Sequence, residues 1–323
     1  MKTLTIGKYR GLQQCTSSRG TFTCLALDHR QNLRKALNPA NPNSVSDDVL
    51  TQFKLDVTSI CADAGTAVLL DPQYSAAQVV AAEILPRQTP FIVAVESTGY
   101  SGDPTARQSQ VLPGWSIEKA KRMGASMVKL LVYYHPDAST AREIEAFVKH
   151  VADECKQHDL GIMLEPLSYS LEVGKTLSSA EKHRVVVETA RRLTVPGIDV
   201  LKAEWPLEVE SVSHPDEAEW ESVCGEISAA SPVPWILLSA AVDYETYVRQ
   251  VTAACRSGAS GSAVGRAVWQ EAVNLTGMER EAFLRDVARL RLERLTALCT
   301  GLGRPWTDFY TPSPINSDWY KDY

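Results

Sequence analysis

A lysine stands near the end of a short apolar run. The segment 196–206 reads PGIDVLKAEWP, and its apolar part, 198–201, leads directly to Lys202. This pattern predicts a buried parallel strand, because a Pro-Gly turn opens it and a proline closes it. Parallel strands are covered on both faces, and burial favours the uncharged amine, which can attack a ketone to give a Schiff base. A plainer interpretation is that Lys202 reaches solvent or pairs with Glu204.

Three similar runs end in residues that could assist such a lysine. Asp28 follows the first run, Lys129 follows the fourth and Glu165 follows the fifth. Lys129 would repel a charged Lys202, and Glu165 could move protons once its pKa is raised. Asp28 could orient the iminium or the neighbouring lysine. A strand-end ion pair explains each residue alone, but it does not explain why four of them occupy equivalent positions.

Eight such runs alternate with helical patterns. Helices are predicted over 47–63, 139–157, 178–193 and 243–257, with Ser178 and Asp243 as their caps in the last two. The runs are 23–27, 67–70, 91–95, 126–128, 161–164, 198–201, 235–238 and 260–264. This order predicts an α/β protein with a (β/α)8 TIM barrel, in which all strands end at one catalytic mouth. A doubly wound open sheet is the alternative, but it usually has fewer strands and a glycine-rich first turn, which this sequence lacks.

The segments after the seventh and eighth runs have the composition of a phosphate site. Ser239 and Ala240 follow the seventh run, and Gly265 and Arg266 follow the eighth. Small residues expose backbone N–H groups to a phosphate, and Arg266 adds a cation that can form two parallel hydrogen bonds. Close packing of helices is the other explanation for small residues at these positions.

Two segments lie outside the repeat. The long loop 98–115, rich in Gly, Pro and Ser, follows the third run and is a candidate lid or substrate wall. The segment 303–323 contains six aromatic residues and is expected to dock on the barrel or on a partner subunit. We therefore expect one barrel domain over 1–302 and a C-terminal arm over 303–323.

The composition of the chain limits the classes of protein to which it can belong. The 323 residues include 44% hydrophobic side chains and carry a net charge of -6, which is typical of a globular protein and gives no attraction to nucleic acid or anionic membranes. The N-terminus has no apolar core like that of a signal peptide. Seven cysteines without CxxC spacing indicate buried free thiols rather than zinc ligands or disulfides, and hence a cytoplasmic protein.

Taken together, these segments resemble the tagatose-1,6-bisphosphate aldolase family, and behind it the sulfofructosephosphate aldolases and other class I barrel aldolases. The stretches that carry the resemblance are LALDHR (25–30), ESTGY (96–100), VKLLVYY (128–134), DVLKAEWP (199–206), LSAAV (238–242) and GRA (265–267). The resemblance implies a retro-aldol reaction without metal or cofactor. It makes Lys202 the Schiff-base lysine and Glu165 the proton shuttle, with Asp28 and Lys129 as supports.

The same resemblance implies that Ser239, Gly265 and Arg266 bind the phosphate of dihydroxyacetone phosphate. It also makes His29 and Arg30, which follow the first-strand aspartate, candidates for substrate binding. The family pattern has glutamine where this chain has His29, which bears on substrate recognition. It often has glycine where this chain has Ala241, and this change could tighten the phosphate loop.

The leading hypothesis is cleavage of a ketose 1,6-bisphosphate to dihydroxyacetone phosphate and a three-carbon aldehyde. The same chemistry on sulfofructose 1-phosphate or another ketose 1-phosphate is the first alternative. A metal-dependent lyase would use oxygen ligands among Asp28, Asp71, Glu96 and Glu165, but the strand ends lack a histidine cluster. A non-catalytic sensor of sugar phosphates is the remaining alternative. Association into a homo-oligomer is compatible with the sequence.

Overall fold

The eight apolar runs form eight parallel strands that close into a barrel in the computed structural model, which describes residues 1–208, 216–240, 242–321 and 323. The strands are β1 Phe22–Ala26, β2 Ala67–Leu70, β3 Phe91–Ala94, β4 Met127–Tyr133, β5 Gly161–Leu167, β6 Val200–Ala203, β7 Trp235–Leu238 and β8 Gly261–Val264. They follow chain order around the ring, and β8 closes it by pairing with β1. The predicted (β/α)8 barrel is confirmed.

Two strands are longer than their apolar runs. In β4 and β5 the pairing continues from Met127 opposite Gly161 to Tyr133 opposite Leu167. Lys129 and Glu165 therefore lie inside strands rather than after them. The apolar runs in the sequence end before these charged residues. In the barrel the two charged side chains are paired with each other and with further charges, so the strands continue past them.

Helices surround the barrel in the order that the sequence predicted. Within the described residues they are α1 Ile6–Gln14, α2 Gln31–Leu37, α3 Asp47–Cys61, α4 Ala76–Ala81, α5 Ile117–Arg122, α6 Ala141–Gln157, α7 Ser179–Leu193, α8 Glu217–Ala230, α9 Tyr244–Arg256, α10 Arg266–Trp269, α11 Gly277–Phe283 and α12 Arg289–Leu302. The two predicted caps are confirmed, since Ser178 Oγ accepts a hydrogen bond from Glu181 N and the Asp243 carboxylate accepts one from Thr246 N. None of these helices is long and apolar enough to cross a membrane.

Helix α1 covers the N-terminal end of the barrel. Its fully buried Leu12 packs beside Gly161 at the start of β5. A Cβ atom on Gly11 would lie 2.3 Å from the carbonyl oxygen of Ser126, so only glycine lets the helix come this close to the start of β4. Helix α1 thus closes the N-terminal end of the barrel, which we call the floor, and the opposite, C-terminal end is the open one.

The C-terminal arm docks on the same floor. Its strand Tyr310–Pro312 pairs in parallel with the N-terminal strand Lys2–Leu4. Trp306 is buried and donates a hydrogen bond from Nε1 to Thr16 Oγ1 (3.1 Å), and the Tyr310 hydroxyl donates to the carbonyl oxygen of Asp199 (3.0 Å). The sequence left open whether the arm docks on its own barrel or on a partner, and the structure places it on its own barrel. The domain boundary at residue 302 stays a prediction.

Replacing Trp306 should test how strongly the arm is held. The change Trp306→Ala removes a fully buried ring and its hydrogen bond, and should lower the free energy of unfolding by about 3–5 kcal/mol, as measured by urea denaturation followed by circular dichroism. The matched control is Trp319→Ala on the same arm, where the side chain is 38% exposed and the change should stay within about 0.5 kcal/mol. Equal effects of the two substitutions would show that the arm is not anchored by Trp306.

Candidate active site

A cavity of about 600 Å³ opens at the C-terminal ends of the strands. All ten residues that the sequence singled out line it: Asp28, His29, Arg30, Lys129, Glu165, Lys202, Ser239, Ala240, Gly265 and Arg266. They come from six of the eight strands or from the segments that follow these strands, so closure of the ring is what brings them together. Their roles stay predictions, but their convergence is a property of the fold.

Lys129 lies at the centre of the charged part of this cavity. Its ammonium nitrogen is 2.7 Å from Asp28 Oδ2, 2.8 Å from Glu96 Oε1 and 2.9 Å from Glu165 Oε2. Only 1% of the side chain is exposed. Each carboxylate comes from a different part of the ring, and the strand that carries Lys129 is a fourth part. The lysine therefore joins four segments of the barrel mouth, through charge-assisted hydrogen bonds to Asp28 and Glu96 and an ion pair with Glu165.

Lys202 shares a partner with Lys129. Its Nζ is 2.9 Å from Glu165 Oε2, the same oxygen that contacts Lys129, and 5% of its side chain is exposed. The plainer alternative, a pair with Glu204, is not formed, because the Glu204 carboxylate accepts a hydrogen bond from Ser168 N at 2.6 Å. Glu165 therefore lies within direct proton-transfer distance of Lys202.

The charges of this cluster set the protonation of its members. Burial alone would lower the pKa of Lys129, but the carboxylates of Asp28, Glu165 and Glu96 outweigh it and raise the pKa well above its ordinary value. Burial would raise the pKa of Glu165, but the ammonium groups of Lys129 and Lys202 outweigh it and lower that pKa. The expectation of a raised pKa for Glu165 is therefore wrong for the substrate-free site. Two lysines, rather than apolar surroundings, decide its charge.

Glu96 is a member of the cluster that sequence reasoning did not place there. Besides its contact with Lys129, its Oε2 accepts a hydrogen bond from Leu131 N (3.1 Å). The signal was present, because the third apolar run ends in Glu96, but this residue was considered only as a metal ligand. The alternation of strands and helices places β3 beside β4, so the sequence could have suggested that Glu96, after β3, lies near Lys129.

Arg30 faces Glu96 rather than open space in the cavity. Its Nη2 donates to the carbonyl oxygen of Glu96 (2.8 Å) and lies 3.6 Å from Oε1 of that carboxylate, while Nη1 donates to Gln73 Oε1 (3.0 Å). The guanidinium is thus already occupied in holding Glu96 in place. Substrate binding by Arg30 stays a prediction, and the structure adds this positioning contact to it.

Asp71, the polar residue after β2, does not join the cluster. Its carboxylate pairs with the buried Lys54 and accepts hydrogen bonds from Ser75 Oγ and from the backbone N–H groups of Gln73 and Tyr74. The four carboxylates considered for a metal site are therefore divided, with Asp71 on one side and the other three around the Lys129 ammonium.

The predicted phosphate cradle comes together between β7 and β8. Gly265 N donates a hydrogen bond to Ser239 Oγ (3.1 Å), and Ala240 is exposed beside them. The Arg266 side chain is partly buried, its Nε has no hydrogen-bond partner within the described part of the chain, and burial lowers its pKa. A buried N–H group without an acceptor is a ready donor for an anion. Ala241, the other departure from the family pattern, lies outside the described residues.

His29 packs closely against this cradle. Its ring meets that of Trp269 edge to face, with centroids 5.4 Å apart. A Cβ atom on residue 265 would lie 2.8 Å from His29 Cε1, so the glycine there is required by the histidine. Burial lowers the pKa of His29 to about 4, and the cation of Arg266 adds to this against the opposing effect of Asp28. At neutral pH this histidine is therefore uncharged.

The long loop after β3 forms one wall of the cavity. Its first residues, from Ser97 to Tyr100, line the cavity, and the loop then folds into a hairpin of Ser101–Asp103 with Ala106–Gln108. The guanidinium carbon of Arg107 lies 4.3 Å from the ring centroid of Tyr100 and 4.5 Å from that of Tyr169. These cation–π contacts hold the hairpin against the strand ends, so the predicted wall is present.

Comparison with known proteins agrees with this geometry. The model of the DeoC/LacD family of aldolases matches residues 22–271, which include every barrel strand and every predicted site residue.

The chain belongs to the DeoC/LacD aldolase family. This membership confirms the aldolase class that the sequence predicted.

Individual relatives in this family are similar along nearly their whole length. The tagatose 1,6-diphosphate aldolase of Lactococcus lactis is 29% identical over 94% of this chain and 99% of its own. That of Listeria monocytogenes is 29% identical over 92% of each chain. The structure of an archaeal fructose 1,6-bisphosphate aldolase covers 91% of the chain with a TM-score of 0.59 at 20% identity. The structure of the fructose-bisphosphate aldolase from Slackia heliotrinireducens covers 91% of the chain with a TM-score of 0.60 at 14% identity. The structural likeness shows the barrel fold.

The buried neutral His29 should make stability depend on pH. Because its pKa is about 4 in the folded chain and about 6.5 when unfolded, the unfolded chain binds more protons between these values, and the free energy of unfolding falls as the pH drops through this window. In His29→Gln, this loss should be smaller by about 1.4 kcal/mol for each pH unit between about 6 and 4.5, measured by urea denaturation. The control His150→Gln, at an exposed position, should keep the wild-type slope. An unchanged slope in His29→Gln would contradict the assignment.

Proposed function

We propose that the protein is a class I, Schiff-base aldolase that cleaves a ketose 1,6-bisphosphate, such as tagatose 1,6-bisphosphate, to dihydroxyacetone phosphate and glyceraldehyde 3-phosphate. The observation that carries the proposal is the contact of Lys202 Nζ with Glu165 Oε2 at 2.9 Å inside the cavity at the barrel mouth. The substrate class is supported by the tagatose 1,6-diphosphate aldolases that align with nearly the whole chain.

The first stage forms the Schiff base. Glu165 takes a proton from the Lys202 ammonium, and the free amine attacks the ketone carbon C2 of the substrate. A C–N bond forms while the carbonyl electron pair moves to oxygen, which acquires the proton that nitrogen loses. Glu165 then returns its proton to this hydroxyl, which leaves as water, and the product is an iminium between Lys202 and C2. No oxidant, reductant or cofactor is needed.

The second stage breaks the carbon–carbon bond. A carboxylate takes the proton of the C4 hydroxyl, the C3–C4 bond breaks, and its electron pair moves to the iminium to give an enamine. Glu165 is the carboxylate that this geometry favours, since of the three around Lys129 it is the one that also contacts Lys202, which carries the iminium. The aldehyde leaves, a proton returns to C3, and hydrolysis of the iminium releases dihydroxyacetone phosphate.

The two lysines have different tasks because their surroundings differ. Lys129 contacts three carboxylates, which keep it protonated, so it does not act as the nucleophile. Lys202 forms an ion pair with one described carboxylate, that of Glu165. Lys129 instead fixes the orientation of Glu165 and supplies a positive charge beside the oxygen atoms that change charge during the reaction.

The phosphate of the ketone half would occupy the cradle after β7 and β8. Ser239 Oγ and Gly265 N, which bond to each other in the substrate-free site, would turn to the phosphate, and Arg266 would supply the cation. The cytoplasmic location expected from the seven cysteines belongs to this proposal as well, supported by their burial as free thiols.

Reductive trapping tests the nucleophile. Sodium borohydride added in the presence of dihydroxyacetone phosphate should reduce the iminium to a stable secondary amine, and peptide mass spectrometry should find the adduct on Lys202. Neither the Lys202→Met variant nor a sample without dihydroxyacetone phosphate should give this adduct. The adduct should form equally well in EDTA, because Schiff-base formation uses no metal. If dihydroxyacetone phosphate binds but no adduct forms, the aldolase proposal fails and a sensor or a metal-dependent lyase is favoured.

Removal of the cradle cation should affect binding of the phosphorylated substrate. Arg266→Ala should raise KM for the ketose bisphosphate by roughly 10- to 100-fold, because it deletes a charge-assisted hydrogen bond to the phosphate. The free energy of unfolding should change much less, since Arg266 Nε has no hydrogen-bond partner in the described part of the chain. A steady-state KM equal to that of the wild type would place the phosphate elsewhere.

A further inference from the structure

One carboxyl group in the active-site cavity has no task in the proposed reaction so far. Glu204 is half-buried and lines the cavity together with Glu165 and Lys202. It lies two residues after Lys202, and side chains two residues apart along an extended chain point to the same side. Glu204 therefore follows the proposed nucleophile by about 7 Å in the direction of the barrel mouth.

A hydrogen bond directs Glu204 toward β5. Its Oε2 accepts from Ser168 N at 2.6 Å, and Ser168 directly follows β5, the strand that carries Glu165. No described residue donates a hydrogen bond to the other oxygen, Oε1, which leaves this atom available to a bound substrate. The ammonium group of Lys182 on α7 pairs with Glu208 instead (3.1 Å). The contact with Ser168 thus fixes the carboxyl group of Glu204 through one of its oxygens.

The order of strands in the ring places both carboxyl groups on the side of the substrate carbon C3. Strand β6, which carries Lys202, lies between β7 and β5. When the phosphate on C1 occupies the cradle after β7 and β8 and C2 is bound to Lys202, the next carbon, C3, extends away from the cradle and toward β5. Glu165 lies on β5 and Glu204 leans toward it, so both are on that side.

The surroundings of these two carboxyl groups differ. Against the effect of burial, two ammonium groups lower the pKa of Glu165. Burial raises the pKa of Glu204, and the charge of Glu165 adds to this against the hydrogen bond from Ser168 and the ammonium group of Lys182. Two carboxyl groups whose pKa values are shifted in opposite directions within one site are suited to different proton transfers. This difference supports separate roles for Glu165 and Glu204.

We propose that Glu204 is the catalytic group that transfers the proton at C3. In cleavage, the O–H bond of its carboxylic acid breaks and a C3–H bond forms with the electron pair of the enamine double bond, while the nitrogen lone pair of Lys202 restores the iminium. Glu204 then regains a proton from solvent, and Glu165 releases the proton that it took from the C4 hydroxyl, so the cycle balances. In the opposite direction, the Glu204 carboxylate removes the C3 proton of bound dihydroxyacetone phosphate. The inference rests on the proposed function, because it requires the Schiff base on Lys202.

Proton exchange measures this step without cleavage of a carbon–carbon bond. With dihydroxyacetone phosphate in D2O, the wild type should replace a C3 proton by deuterium, which proton NMR follows as loss of the hydroxymethyl signal. Glu204→Gln should slow this exchange by roughly 100- to 10,000-fold, the usual contribution of a general acid or base. The glutamine amide oxygen can still accept the hydrogen bond from Ser168 N. Glu204→Asp should recover part of the rate, and the control Glu208→Gln on the neighbouring segment should exchange like the wild type.

The ketose bisphosphate gives a second signature. In Glu204→Gln, the first turnover should release the aldehyde at close to the wild-type rate, because Lys202 and Glu165 are intact. Later turnovers should be slow, because the enamine is protonated slowly. Rapid-quench measurements should therefore show a burst of about one aldehyde per active site. A purely structural role of Glu204 would slow the burst as well.

Borohydride trapping separates the failure of this role from the failure of the aldolase reaction. The yield of the Lys202 adduct should be the same in Glu204→Gln and in the wild type. If the wild type forms the adduct and the variant exchanges the C3 proton as fast as the wild type, the role of Glu204 is rejected while the aldolase reaction stands. If the variant loses both the adduct and the exchange, Glu204 acts before the enamine and the assignment to C3 is wrong. Absence of both in the wild type would reject the aldolase reaction and this inference with it.

Discussion

The barrel mouth depends on one buried ammonium group, that of Lys129, in contact with three carboxylates. A buried charge without partners is costly. Removing one member of such a group therefore destabilises a protein more than replacing the whole group by apolar residues does. Glu96 and Glu165 reach Lys129 from the two strands beside β4, whereas Asp28, which follows β1, reaches it only because the sheet curves into a ring. The same contacts that satisfy the charge of Lys129 therefore fix the position of Glu165, the carboxylate that we propose transfers the proton. The same side chains therefore determine both the stability of this site and its proposed reactivity.

Electrical balance explains how the cluster can remain buried and still be reactive. Lys129, Lys202 and Arg30 face Asp28, Glu96 and Glu165, so the group carries no net charge. An incoming anionic sugar is consequently not attracted by the cluster itself. In the proposed reaction the attraction would come from Arg266 at the edge of the cavity, and the net charge of -6 makes such a local cation more important.

The fold could be predicted because each strand and helix carried its own local signal. The apolar runs, the caps at Ser178 and Asp243, and the alternation of strands and helices all pointed to one architecture. The site residues could be named from their positions at the ends of runs, but their protonation could not, since it depends on distances across the ring. Glu165 shows the difference: its identity was evident, whereas its lowered pKa results from two lysines that lie far from it in the sequence. Glu96 was missed for another reason, since its place at the end of the third apolar run was evident but it was considered only as a metal ligand.

The pairing of Lys2–Leu4 with Tyr310–Pro312 has a consequence for the order of assembly. Residues 2–4 leave the ribosome long before their strand partner at 310–312 is made, so this pair cannot form until synthesis has passed that partner. Until then the barrel lacks the cover that Trp306 and Tyr310 provide at its closed end. The ring can form earlier, because its strands pair with neighbours in chain order. Completion of the floor therefore follows formation of the ring, and it takes place at the end of the barrel opposite to the candidate active site.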